Sequence, residues 1–336
     1  MPTSAEIAAD PLWLPHKADF ATRRMTFVRL RPERFAETAF LADQQPTEAS
    51  DSASLSFDEV IALDFPTGPL HFIFHTAFCR STLLVRALNI PGFSIGMSEP
   101  GIFASLAGAG QQAGPLLKPV LDLLSRPHPG RQAVFVKPSN HTNMLIPALM
   151  EARPDARAIL MSNALPAFLE AVIRKGMMGR RWGRQLYLEL QSYATLDLGM
   201  DGRETYLMTD LQAAGAAWLL NRRWFELNAR NAVGRAGERM VSLDGDRFNE
   251  HKADTLIAAL KLAGIDLPRE RADAVGASPV FGEYSKGGSD FATKEADDRA
   301  RSSSPVTREE MEQVGQWVGM VAKQSGIAME VPSDLF

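Results

Sequence analysis

The sequence predicts an α/β protein in three layers, a parallel sheet flanked by helices on both faces. From Leu70 onward short apolar runs alternate with helical patterns, as they do where helices wrap a parallel sheet. Ala133–Lys137 and Ala158–Ser162 are continuously apolar, the character of strands buried on both sides. Leu70–Leu88 passes from an apolar strand pattern through a small polar loop into a helix pattern, a junction that suits an anion.

Residues 1–60 read as an N-terminal extension. It holds one strand at Met25–Leu30 and an exposed loop over Gln44–Ser56, a run rich in Ser, Asp, Glu and Gln. Residues 61–336 read as a single α/β domain with strands at 70–75, 93–97, 133–137, 157–162 and 239–243. A long helical region, roughly 164–234, separates the last two. Within it Leu211, Ala214, Trp218, Trp224 and Phe225 fall at partly helical spacing, and the basic segment Arg174–Arg184 reads as a solvated turn between helices. Thr255–Ala263 predicts an amphipathic helix with Gly264 as its C-cap. The glycines beside a lysine in Gly282–Phe291 suit an anion-binding loop, and Glu309–Ser325 predicts a final helix.

Composition excludes several classes. The 336 residues are 45% hydrophobic and 23% charged with a formal net charge of −4, so no basic field marks a nucleic-acid binder. No apolar run approaches the roughly 18 residues of a membrane span, and the start Met-Pro-Thr-Ser-Ala-Glu has no signal-peptide pattern, which predicts a cytoplasmic protein. The single cysteine, Cys79, excludes an intrachain disulfide, and the six histidines show no metal-ligand spacing, so no metal is expected.

The loop between the first apolar run and its helix carries the chemistry. Backbone N–H groups there and in the first helical turn point outward together, Arg80 adds a cation, and Ser81 and Thr82 supply hydroxyls. His75–Thr82 has neither the glycines nor the lysine of G-x-x-x-x-G-K-[ST], which disfavours an ordinary ATPase or GTPase. Cys79 beside Arg80 reads either as an activated thiol or, preferably, as a small residue that lets a phosphate approach. The plainest reading is a buried strand and a helix capped by Ser81.

Phe78-Cys79-Arg80-Ser81-Thr82-Leu83-Leu84 resembles the 5′-phosphosulfate loop of sulfotransferases, which use 3′-phosphoadenosine-5′-phosphosulfate (PAPS); Arg80 stands where that family usually has glycine. The resemblance extends over most of residues 65–292. Met97-Ser98-Glu99-Pro100 is similar to a segment whose glutamate is the general base in several branches, and Val136-Lys137-Pro-Ser-Asn-His141 to the Lys-Thr-His segment in which histidine is the base. After the fourth strand the family's Arg-Asp-Pro is replaced by Ser162-Asn163-Ala164, which leaves the 3′-phosphate without its arginine. Ser285-Lys286-Gly287 looks like the family's late Lys-Gly loop and offers a replacement cation, with Arg174 second.

The resemblance implies a P-loop-like, sulfotransferase-like fold and sulfuryl transfer from PAPS to a hydroxyl or amine acceptor, a small molecule, glycan or lipid. It implies that Phe78–Leu83 hold the 5′-phosphate and that Arg80 and Lys137 stabilise the leaving oxygen. Glu99 is the first choice of base and His141 the second; Ser162, Asn163, Ser285, Lys286 and Gly287 contact the 3′ side. Each has a plainer reading: Glu99 starting a helix before Pro100, Lys137 solvated at a strand end, His141 capping a helix. Two other functions compete, an ATP-dependent phosphotransferase with Asp244 or Asp246 as the magnesium-binding acid, and a non-catalytic nucleotide-binding scaffold. The acceptor's identity and the oligomeric state are not encoded legibly.

Overall fold

A computed structural model describes residues 2–231, 239–281 and 305–336. The apolar runs from Leu70 onward form five strands, β4 (Leu70–His75), β5 (Ser94–Ser98), β6 (Ala133–Lys137), β7 (Ala158–Ser162) and β8 (Met240–Asp244). They pair in parallel in the order β5-β6-β4-β7-β8. The period of two decides which face each side chain takes. Phe72 and Phe74 of β4, Val134 and Val136 of β6 and Leu160 of β7 enter one core; Ile73, Phe135, Ile159 and Met161 enter another on the opposite face. The second core is closed by the helices Ser81–Ala87 and Lys252–Leu262, and Gly264, at φ +76, ends the latter as expected. This is the three-layer α/β arrangement that the strand runs predict.

The helical region consists of Leu165–Arg174, Gly176–Gln191, Gly202–Leu207 and Asp210–Asn231. With the final helix Pro305–Ser325, which begins four residues before the predicted Glu309, they build a third core around Trp218, Phe168 and Val318. The basic segment is a helix corner: Gly176 turns at φ +58, Arg180 pairs with Glu310 at 3.5 Å and Arg184 with Asp210 at 3.3 Å.

The first 60 residues hold more structure than the sequence suggested. β1 (Trp13–Asp19), β2 (Arg24–Arg29) and β3 (Ser52–Ser56) form an antiparallel sheet, and Met25, Phe27 and Leu55 join the core that contains Phe72 and Val136. The expected loop over 44–56 ends at Asp51. Ser-Ala-Ser-Leu-Ser alternates with Ala53 and Leu55 inward, and its serines conceal a half-buried edge strand. β1 escaped because Pro15 and Lys17 interrupt its pattern, and its register with β2 shifts between those residues.

The chain leaves central β4 for edge strand β5, returns through β6, and crosses β4 to reach β7 and β8. Winding therefore reverses at β4, which opens a crevice at the carboxyl ends of the strands.

Two tests of this packing follow from single positions. A Cβ on Gly96 would lie 1.8 Å from the Val85 carbonyl oxygen, so Gly96→Ala must push β5 off its helix. A loss of about 3 kcal/mol in urea unfolding is expected. His71 and His128 are buried and held neutral by desolvation, each down to about 4. The unfolded chain then binds more protons between pH 4 and 6.5, so their contribution is complete above that window and lost as pH falls through it. Stability should drop by about 2 kcal/mol per histidine between pH 7 and 5, and the drop should shrink in His71→Asn.

Candidate active site at the carboxyl edge of the sheet

β4 ends at His75, and the five residues that follow, Thr76–Arg80, turn the chain into the Ser81–Ala87 helix. Ala77, Phe78 and Arg80 have left-handed backbones, at φ 70, 56 and 64, although none is glycine. Each such residue costs about 1 kcal/mol or more, and the conformation persists because the surroundings hold it. The Thr76 N–H donates to the Met161 carbonyl at 3.1 Å, and the Ala77 N–H donates to His75 Nδ1 at 3.1 Å. From β8, Gly245 lies so close that a Cβ there would sit 2.5 Å from the Cys79 carbonyl oxygen. Arg80 occupies the cap position, without a side-chain cap among the described residues, and buried Ser81 is the first helical residue, so Ser81 is not the cap.

Two more strand ends converge here. Lys137, the last residue of β6, has no exposure, and its Nζ lies 2.5 Å from Glu99 Oε1 and 3.2 Å from His75 Nε2. Glu99 follows β5 with its own left-handed backbone, φ 50, while its N–H donates to the Lys137 carbonyl at 2.7 Å. The solvated reading of Lys137 is therefore wrong, and Glu99 is a partner of Lys137 with both contacts, to Lys137 and to His75 at 3.9 Å, on Oε1. Arg80 is partly exposed and pairs with Asp246 at 2.5 Å, across from the end of β8, where the Asp246 N–H donates to Asp244 Oδ1 at 2.7 Å.

His141 is differently placed. Its Nδ1 lies 2.6 Å from Glu189 Oε2, and its Nε2 accepts the Trp182 indole N–H at 3.0 Å, so both ring nitrogens are engaged and it does not cap a helix. Trp182 in turn meets the Phe78 ring edge-on, centroids 4.9 Å apart, with Phe168 at 6.0 Å from Trp182. Burial pushes the Cys79 thiol up, and Sγ contacts the Met161 carbonyl at 3.4 Å, the opposite of an activated thiol.

Ser162 and Asn163 at the end of β7 are buried. Ser162 Oγ, Asn163 Oδ1 and Thr76 Oγ1 have no hydrogen-bond partner among the described residues. Leu83 is half-buried in the first helical turn. Arg174 is exposed and closes the 10-residue helix that begins at Leu165. Ser285, Lys286 and Gly287 lie outside the described residues. Sequence reasoning gave no role to His75, Gly245 or Trp182, and offered Asp246 only as a magnesium-binding acid, not as the partner of Arg80. Of the first three only His75, polar at the end of an apolar strand and next to the loop, left a signal. Among the described residues no three His, Cys, Asp or Glu side chains gather as a metal site, and no helix is long and apolar enough to cross a membrane.

No family model and no curated protein matches the chain. Among solved structures it is similar to the sulfotransferase domain from the curacin biosynthetic pathway, at 12% identity and TM-score 0.41, over 80% of this chain and 99% of that one. A likeness of that size assigns no chemistry, which has to come from the side chains.

The buried thiol gives a direct check. Cys79 in the native chain should resist iodoacetamide at pH 8 and react fully once urea unfolds it; rapid native alkylation would contradict the packing.

Proposed function

We propose that this chain transfers a sulfuryl group from PAPS to a hydroxyl or amine acceptor, with Glu99 as the general base. The observation that carries the reading is the meeting of Glu99 and Lys137 from two neighbouring strand ends, beside a strained loop at the point where winding reverses. PAPS, when bound, supplies an activated sulfuryl group on a phosphate leaving group. The residues present fit it. Thr76 Oγ1, Ser162 Oγ and Asn163 Oδ1 are buried polar atoms without a hydrogen-bond partner among the described residues, and the loop brings Arg80 to the start of the following helix.

On this reading Phe78–Leu83 hold the 5′-phosphate, with Arg80 exchanging Asp246 for the anion. Lys137 stabilises charge on the leaving oxygen, Ser162 Oγ donates to the nucleotide and Asn163 Oδ1 accepts from it. Glu99 takes the acceptor proton on the carboxylate whose other oxygen already faces Lys137. His141 serves as a positioning residue, since neither ring nitrogen is open to a proton. The acceptor, a small molecule, glycan or lipid, enters beside the helical layer that carries Trp182.

Calorimetry separates the alternatives. Metal-independent binding of adenosine 3′,5′-bisphosphate in preference to ATP and AMP is expected. Magnesium-dependent ATP binding would favour a phosphotransferase using Asp244 or Asp246, and no nucleotide binding would favour a scaffold. Glu99→Gln should lower turnover about 10²–10⁴-fold with bisphosphate affinity retained; unchanged turnover removes Glu99 as the base.

A further inference from the structure

We infer that the outward face of the Gly176–Gln191 helix is a docking surface for an anionic lipid bilayer. The inference holds whatever reaction the site performs, because it rests on a face that the sulfuryl-transfer reading leaves without a role.

Helical spacing divides this helix into two sides. Gly179, Gly183, Leu186, Tyr187 and Leu190 are buried, and the last three belong to the core around Trp218. Met177, Arg181, Gln185 and Leu188 follow one another at steps of four, four and three, so they share the opposite side with Met178, and all five are exposed. A lone exposed apolar side chain is ordinary, but here three fall on one stripe, with Met177 and Met178 each 79% exposed and Leu188 69%. Arg184 extends the patch. Its Nη1 donates to the Met208 carbonyl at 2.9 Å, which holds against this helix the stretch that carries Tyr206 and Leu207, 80% and 65% exposed.

Charge identifies the occupant. Between Glu170 and Glu189 the chain has five cations, Arg174, Lys175, Arg180, Arg181 and Arg184, and no acid, in a protein whose formal net charge is −4. Arg180 and Arg184 are engaged by Glu310 and Asp210, whereas Arg174, Lys175 and Arg181 are exposed and flank the two methionines. Of the acids nearest the stripe, Glu189 holds His141, Asp201 and Glu204 bond each other's backbone N–H, and Glu170, one turn before Arg174, offsets one cation.

Methionines set among cations suit the boundary between lipid headgroups and acyl chains. The unbranched thioethers enter the hydrocarbon while the long basic side chains stay with the phosphates. A second copy of the chain fits less well, since pairing this face with itself sets Arg174, Lys175 and Arg181 against cations. Met178 stands one helical turn from Trp182, which reaches His141 and Phe78. The docked face therefore adjoins the candidate site.

The test is flotation of the full chain, without nucleotide, on vesicles of mixed phosphatidylcholine and phosphatidylglycerol and on vesicles of phosphatidylcholine alone. The protein should float with the mixed vesicles only, and less as salt is raised. Met177→Asp with Met178→Asp should lower partitioning at least about tenfold. Arg174→Gln with Lys175→Gln and Arg181→Gln should lower it about 100-fold. All five side chains are exposed, and an acid in the first helical turn suits the helix dipole, so both variants should keep the wild-type thermal melt. Failure of wild type to float with the mixed vesicles, equal flotation with phosphatidylcholine alone, or undiminished flotation of either folded variant overturns the inference. A dimer in sedimentation velocity that the methionine variant dissolves, without vesicle binding, assigns the face to a second copy and overturns it as well.

Discussion

A lysine side chain with no exposure to solvent must find its partners inside the protein, and the carboxyl edge of this sheet is organised around that demand. Lys137 ends the strand that lies between β5 and β4, so its neighbours supply the answer from either side. Glu99 reaches it from β5 and His75 from β4. Neither arrangement is free: Glu99 adopts a left-handed backbone, and His75 ties its second nitrogen to a loop with three further left-handed residues. Removing one partner from such a set leaves a buried polar group uncompensated, which is why strain in the loop is tolerated.

Arg80 obeys the opposite rule. It and Asp246 are each about two-fifths to one-half exposed, so their pairing is solvated and worth at most about 1 kcal/mol. Such a partner is displaced at little cost, whereas Lys137 is enclosed between Glu99 and His75. The two cations therefore differ in kind. One is screened and exchangeable, the other buried and held in place.

Much of this was legible in the sequence because it is local. Five strands were announced by apolar runs, and Glu99 and Lys137 by their positions just at strand ends. What escaped was non-local or masked. The engagement of His141 comes from Trp182 and Glu189, 41 and 48 residues later, and that of Arg80 from Asp246, 166 residues later; no spacing rule connects them. β3 hid behind its serines and β1 behind its proline. His75 was visible but ambiguous, since a histidine closing an apolar strand reads as core until its two nitrogens acquire partners.

A loop built from glycines offers only backbone to its ligand and leaves no handle on the rest of the fold. Here the left-handed turn carries Phe78, whose ring lies against Trp182 and Phe168 in the helical layer. Trp182 is fastened to His141, beyond the end of β6. The loop backbone and the helical layer are thereby one mechanical linkage, so a shift in either is transmitted to the other by a single aromatic side chain that glycine could not have supplied.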